Sequence, residues 1–233
     1  MGCNMGHNFS LLVAMEESRE HEASFQDPYK PWEIIMNSLT YYMRSMDSHR
    51  SLQNNTSRVN KDVRWYPSEH GWICLNTDDA FKSHNTKDGC GGLFRDEDGH
   101  WIRGFSKSLG SATAYVAELW GLLEGISIAR SMGFNKLEVQ MDSEIIVSII
   151  NKHGHGNVSG WSIIKKIRSL LSLDWSVKIC HFYREANRCA DMLANMGCVH
   201  NHGTLIYNQP LTNLRQLLDD DNRGVSFLRL VAL

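Results

Sequence analysis

The chain has no long apolar run, no cysteine pairs at metal-ligand spacing and no excess of either charge, and each lack removes a class of function. No stretch approaches the roughly 20 consecutive apolar residues that a membrane-spanning helix needs. The six cysteines (Cys3, Cys74, Cys90, Cys180, Cys189 and Cys198) are scattered, with no CxxC pair and no zinc-finger spacing. A secretory apolar region is also missing, so the expectation is a protein of the nucleus or cytoplasm with reduced cysteines that mostly fill the core. The N-x-S/T matches at Asn8, Asn54 and Asn157 then carry no glycosylation signal. Gly2 and Cys3 suit lipidation, but position 6 is Gly where Ser or Thr is expected, and an ordinary N-terminus is the preferred reading. With 24 Lys and Arg against 26 Asp and Glu, the formal charge is −2. No global basic field announces nucleic acid, so a polyanion would have to be held locally or through metal ions.

What is present is enough for one sizeable core, at 233 residues and 42% hydrophobic. Residues 1–68 read as an extension, with a short helical pattern (PWEIIMNSLTYYMRSM) followed by polar linker chemistry (DSHRSLQNNTSRVNKD). Order sharpens over 69–199. WICLNTDDA, GCGGLFRD and HWIRGFSKS read as three strands of an antiparallel meander, joined by KSHNTKDG and the tight turn DEDG. AYVAELWGLLEGISIARSMG is a long helix with Gly133 as its C-terminal stop. KLEVQM is a strand, DSEIIVSIINK a helix capped by Asp142 or Ser143, WSIIKKIRSLLS an amphipathic helix, SVKICHFY the last strand, and a short helix closes the unit. The order βββαβαβα is an α/β layout with a mixed sheet. Residues 200–233 read as a tail with an acidic run at 219–221.

Four acids occupy unusual positions in this layout. Asp78 lies late in the first strand, on the face of Cys74 and Asn76. Glu118 heads a helical stripe of Gly121, Leu122, Gly125 and Ala129, which is small and apolar and so faces the sheet. Asp142 stands at the carboxyl end of KLEVQM, the end where open α/β sheets gather ligands. Asp191 opens the final helix among Ala190, Leu193 and Ala194. Taken singly, each has an ordinary explanation as a turn acid, a helix acid or a cap. Taken together they can converge on one end of the sheet. Two unit charges about 4 Å apart repel by roughly 4 kcal/mol at an effective dielectric near 20. Hard divalent cations such as Mg²⁺ or Mn²⁺ relieve that repulsion.

In the same order, LNTDDA, AELWGLLEGI, VQMDSE and REANRCADMLA resemble the blocks of the ribonuclease H-like domain, closest to its plant, retroelement-related, reverse-transcriptase-like branch. The resemblance covers about residues 70–198. It implies a five-stranded mixed sheet, a three-strand meander plus two parallel strands, flanked by helices. It also implies hydrolysis of the RNA strand of RNA–DNA hybrids with two Mg²⁺ ions, or Mn²⁺ in their place, leaving 5′-phosphate and 3′-hydroxyl ends. Asp78, Glu118, Asp142 and Asp191 fall on the metal-binding, catalytic acid positions. The loop before Asp191 is of the short REAN type, where Arg184 stands in for the product-release histidine of other members.

One departure bears on activity. The family pattern is Asp-Gly-Ala, and this chain has Asp78-Asp79-Ala80, placing a second carboxylate beside the reacting phosphate. AYVAE also lacks asparagines found near the minor groove in bacterial relatives. A domain that keeps the fold but has weak or no catalysis, serving as a nucleic-acid or protein interaction module, is the alternative reading. Lys165, Lys166 and Arg168 fit a phosphate-contacting or a solvated face equally well. His153, His155 and His181 read as plain loop or strand residues, Trp120 as core, Asn187 as a helix cap, and the chain as a monomer.

Overall fold

The computed structural model describes residues 58–80, 87–152, 160–201 and 203–232. Residues 58–154 with 163–233 form one compact unit; residues 1–57 with 155–162 form another, almost all of it outside the described residues. Gly2, Cys3, the PWEIIMNSLTYYMRSM pattern, His153 and His155 therefore lie outside the described residues.

The meander forms as read. Strands β2 (Ile73–Ala80), β3 (Asp88–Arg95) and β4 (Trp101–Gly110) pair antiparallel in sequence. Helix α1 (Ala114–Ser131) follows, its first turn capped by Thr113, whose Oγ1 accepts from the Val116 amide at 3.3 Å. Gly133 ends it at φ 77, a conformation costly for a side-chain-bearing residue. Strand β5 (Lys136–Met141), helix α2 (Glu144–Asn151), helix α3 (Trp161–Leu171), strand β6 (Ser176–His181) and helix α4 (Arg188–Gly197) complete the expected order. Ser143 takes the N-cap position of α2, without a side-chain cap bond.

Both ends of the expected domain move outward. β1 (Arg58–Val63) falls in the stretch read as linker, and residues 200–233 hold β7 (Thr204–Tyr207), helix α5 (Thr212–Asn222) and β8 (Phe227–Ala232). The main sheet thus has six strands, in the order β6-β5-β2-β3-β4-β7, rather than five. The sixth, β7, pairs antiparallel with Gly104–Lys107 of β4. β1 and β8 pair antiparallel with each other as a separate ribbon. Strands this short show no period of their own, and for the ribbon the partners are about 170 residues away in the chain, which hid them from local pattern.

Glycines set how closely the layers meet. On one face, Leu75, Phe94, Leu122, Ile126, Val139, Ile146, Ile164 and Ile167 join α1, α2 and α3 to the sheet. On the other, Leu93, Cys189, Leu193, Leu214 and Leu218 hold α4 and α5. A Cβ on Gly91 would lie 2.4 Å from the Ala194 backbone nitrogen, so α4 sits directly on β3 only because position 91 has no side chain.

The acidic run expected in a tail reaches the core through Asp221. Arg95, 1% exposed, donates through Nη1 to Asp221 Oδ2 (2.8 Å) and through Nη2 to Asn76 Oδ1 (2.7 Å). Its guanidinium lies 3.4 Å from the centre of the Trp65 ring. Gln140 Oε1 accepts from Asn76 Nδ2 (3.0 Å) and from Trp65 Nε1 (2.9 Å), closing the network across β2, β3, β5 and α5. Next to it, Asp220 pairs with Arg188 of α4 at 3.2 Å. Removing one partner of a buried pair strands the other charge, at about 3–5 kcal/mol. Arg95→Ala should cost that much in urea unfolding, and Arg95→Met combined with Asp221→Leu should recover most of it. Equal losses in both variants would assign the effect to packing instead.

Candidate active site

Parallel pairing puts two of the acids level. β2 and β5 are in register with Asn76 opposite Gln140, and both Asp78 and Asp142 stand two residues further on. They therefore leave the carboxyl ends of adjacent strands side by side. Glu118 reaches the same point from the first turns of α1, whose Gly121, Leu122, Gly125 and Ala129 are all buried, as the helical stripe required. Carboxylate oxygens of Asp78, Glu118 and Asp142 lie within 4.8 Å of one another. Asp191, in the first turn of α4, joins them across an open cleft of about 260 Å³ shared with Asp79, Arg184, Ala114 and Asn195. All four expected acids thus meet at one end of the sheet.

Burial and mutual repulsion dominate the electrostatics. Asp78 is 2% exposed and Glu118 8%. Desolvation, followed by the charge of Asp142 and then of the neighbouring aspartates, pushes both carboxyls well above the usual range. Asp79 stands opposite Cys90, whose Cβ approaches Gly121 of α1, so it faces the α1 side. Burial and Asp142 push it up to about 7, against the pull of Arg184. It is a fifth carboxyl of the cluster, as the Asp-Asp-Ala pattern implied. Asp78 Oδ2, Glu118 Oε2 and Asp142 Oδ1 are buried without a hydrogen-bond partner among the described residues. Unpaired, closely spaced hard oxygens are the donor set of a divalent cation such as Mg²⁺ or Mn²⁺, and the site fits one on those grounds.

The other expected residues divide. Arg184 lies at the rim with its side chain 70% exposed and reaches Asp191 Oδ1 at 3.2 Å. The hydrogen bond to Asp191 raises its already high pKa further. Asn187 does occupy the N-cap position of α4, but its side chain makes no cap bond. Instead Nδ2 donates to the Thr77 carbonyl at 2.8 Å, tying the turn before Asp191 to the strand of Asp78. Asn195 was not foreseen. It lines the cleft and donates to the Asp191 carbonyl at 2.8 Å, and its place one turn after Asp191 was the available signal. Arg168 is half-buried, and its Nη2 donates to the Ile149 carbonyl at 3.3 Å, while Lys165 and Lys166 are exposed. Trp120 is only partly buried, with the Lys107 ammonium 4.9 Å from its ring centre, so it borders the core rather than filling it. His181 ends β6 opposite Met141, outside the lining of the acid cleft, edge-on to Tyr183 at 5.3 Å.

A mixed sheet of this order, flanked by helices and with acids meeting at the carboxyl ends of adjacent parallel strands, has the ribonuclease H fold. Two solved structures share it. Ribonuclease H1 of the archaeon Halobacterium salinarum is 24% identical with TM-score 0.51, over 54% of this chain and 96% of its own. LC11-RNase H1, from compost, solved with an RNA/DNA hybrid, is 25% identical with TM-score 0.50, over 54% and 96%. The chain belongs to the reverse transcriptase-like family, whose model matches residues 76–197. An Arabidopsis thaliana protein, named provisionally as a ribonuclease H protein, is 34% identical over 76% of this chain. The chain spans 28% of that relative's length.

The raised acids fix a sign for the effect of pH. Asp79 binds its proton more tightly folded, at about 7, than at its ordinary 3.8. The folded state therefore holds more protons between these values, and this contribution to stability is lost as pH rises through them. In chelator, Asp79→Asn should flatten the fall in unfolding free energy between about pH 5 and about pH 8, by at least about 1 kcal/mol. Parallel profiles for the two proteins would place the titration elsewhere.

Proposed function

We propose that the acid cleft is the active site of a metal-dependent endonuclease that hydrolyses the RNA strand of RNA–DNA hybrids. The observation that carries this is the meeting of Asp78, Glu118 and Asp142 oxygens within 4.8 Å, with Asp191 across the cleft. The family membership and the hybrid bound to LC11-RNase H1 support the substrate class.

Asp78, Glu118, Asp142 and Asp191 would hold two Mg²⁺ ions, or Mn²⁺. Bound there, such cations supply the positive charge that offsets the phosphate's developing negative charge and activate water for attack. The chain's own part is positioning. β2 and β5 fix two acids at one level, and α1 and α4 bring the others to them. In the overall step the water oxygen bonds to phosphorus, the P–O3′ bond breaks, and the 3′ oxygen takes a proton. This leaves a 5′-phosphate and a 3′-hydroxyl. Arg184, exposed at the rim, meets the phosphate as it arrives or leaves. A 2′-hydroxyl and the A-like groove distinguish the RNA strand.

Cutting an end-labelled hybrid with the full chain tests this. RNA-strand cleavage should appear with Mg²⁺ or Mn²⁺, vanish in chelator, and fall by at least about 1,000-fold in Asp142→Asn. No cleavage by folded protein with either metal would leave the alternative, a binding module of the same fold. That second reading draws on Asp79, a half-buried extra carboxyl lining the same cleft. If Asp79 is what slows the enzyme, Asp79→Gly should raise turnover several-fold at neutral pH. Unchanged turnover would remove Asp79 from the argument.

A further inference from the structure

A second cleft, of about 310 Å³, lies beside the acid site and is lined by Lys61, Arg64, Tyr66, His181 and Tyr183, with Asp62 the one acid among its lining residues. Its size is that of a small-molecule site. Much of it is built from residues 61–66, which precede the family match at 76–197. The end of β1 and the segment after it supply that part, and the end of β6 with the turn after it supplies the rest. Tyr183 backs this cleft while the next residue, Arg184, lines the acid cleft. The two openings are therefore separated by a single turn of chain.

The chemistry of the walls is that of an unpaired nucleotide site. Tyr66 is 56% exposed, and its ring is set at 47° against Phe182 with centroids 4.8 Å apart. The packing fixes an aromatic surface that still faces solvent. Lys61 is held with its ammonium 5.0 Å from the Tyr183 ring centre, and Arg229 covers the same ring at 4.8 Å. Arg229 is occupied by Glu185 at 2.8 Å, whereas the charged ends of Lys61 and Arg64 form no ion pair or hydrogen bond with a described residue. Two available cations beside an exposed aromatic ring are the parts with which proteins hold single strands, phosphate on the cations and base on the ring. A base already paired in a duplex cannot turn its face to Tyr66, so the occupant is an unpaired one.

We propose that this cleft binds an unpaired nucleotide of a strand running on from the hybrid in the acid site, with its phosphate on Lys61 and Arg64 and its base on Tyr66. The proposal rests on the nuclease reading for the placement of the hybrid. It makes a junction between hybrid and single strand, rather than a blunt hybrid, the preferred ligand.

The test measures binding of labelled RNA–DNA hybrids to the full chain carrying Asp142→Asn, in Ca²⁺. The probes are a blunt hybrid and the same hybrid with a single-stranded extension at the 5′ or 3′ end of either strand. One extended probe should bind about tenfold more tightly than the blunt one. Lys61→Gln with Arg64→Gln should abolish that gain, lower the salt dependence of extended-probe binding by up to about two units of slope, and leave blunt-hybrid affinity unchanged. Both residues are exposed, and thermal unfolding checks that the fold is kept. Tyr66→Leu should reduce the gain without changing the salt slope. Equal affinity for blunt and extended probes, or a gain that survives the double substitution, overturns the subsite. Extended-probe preference through Lys61 and Arg64 in a chain whose unsubstituted form cuts no hybrid would keep the subsite and overturn the nuclease reading.

Discussion

One buried cation holds together the parts of this molecule that sequence pattern left apart. Arg95 sits in the middle strand region with almost no exposure, and a guanidinium there is costly unless its charge is neutralised and its terminal nitrogens are bonded. Asp221 neutralises it, Asn76 accepts from it, and Trp65 stacks on it. These partners come from β2, α5 and the segment following β1. The last helix and the N-terminal ribbon segment are thereby fastened to the sheet, and the family domain acquires a second layer of structure around one charge.

The acid site presents the opposite problem, several like charges gathered where none has a counter-ion of its own except Asp191. The fold bears the repulsion because each acid is placed by something rigid. Parallel register sets Asp78 and Asp142, a buried glycine-lined stripe sets Glu118, and the Asn187 side chain ties the turn before Asp191 to the backbone of β2. Gly91 lets α4 lie close enough for Asp191 to arrive. The raised proton affinities of Asp78, Asp79 and Glu118 express their burial first and the same repulsion second. A divalent cation releases it, which is why such a cluster is suited to bind one.

The two clefts draw on different stretches of the chain. The acids lie inside the family match, whereas Lys61, Arg64 and Tyr66 lie outside it. Tyr183 and Arg184 join the two, so a change in one cleft is one residue from the other. Asp62 among the cations weakens any general attraction for polyanions, in keeping with the chain's near-zero net charge.

The sequence by itself determined the meander, the order of the helices and the four acids, because those signals are local. Alternation marks β2 to β4, the glycine stripe marks the buried face of α1, and Gly133 marks its end. The blocks around the acids are contiguous and can be recognised without knowing what they touch. Only the tertiary structure decided the sixth strand, the ribbon of β1 with β8, and the burial of Asp221. Each depends on a partner far along the chain. A four-residue strand such as Thr204–Tyr207 exists because an edge of β4 is available to bond it. An aspartate in an acidic run looks solvated until an arginine 126 residues away is buried against it. Local pattern reports what a residue prefers, and long-range pairing decides where that preference can be met.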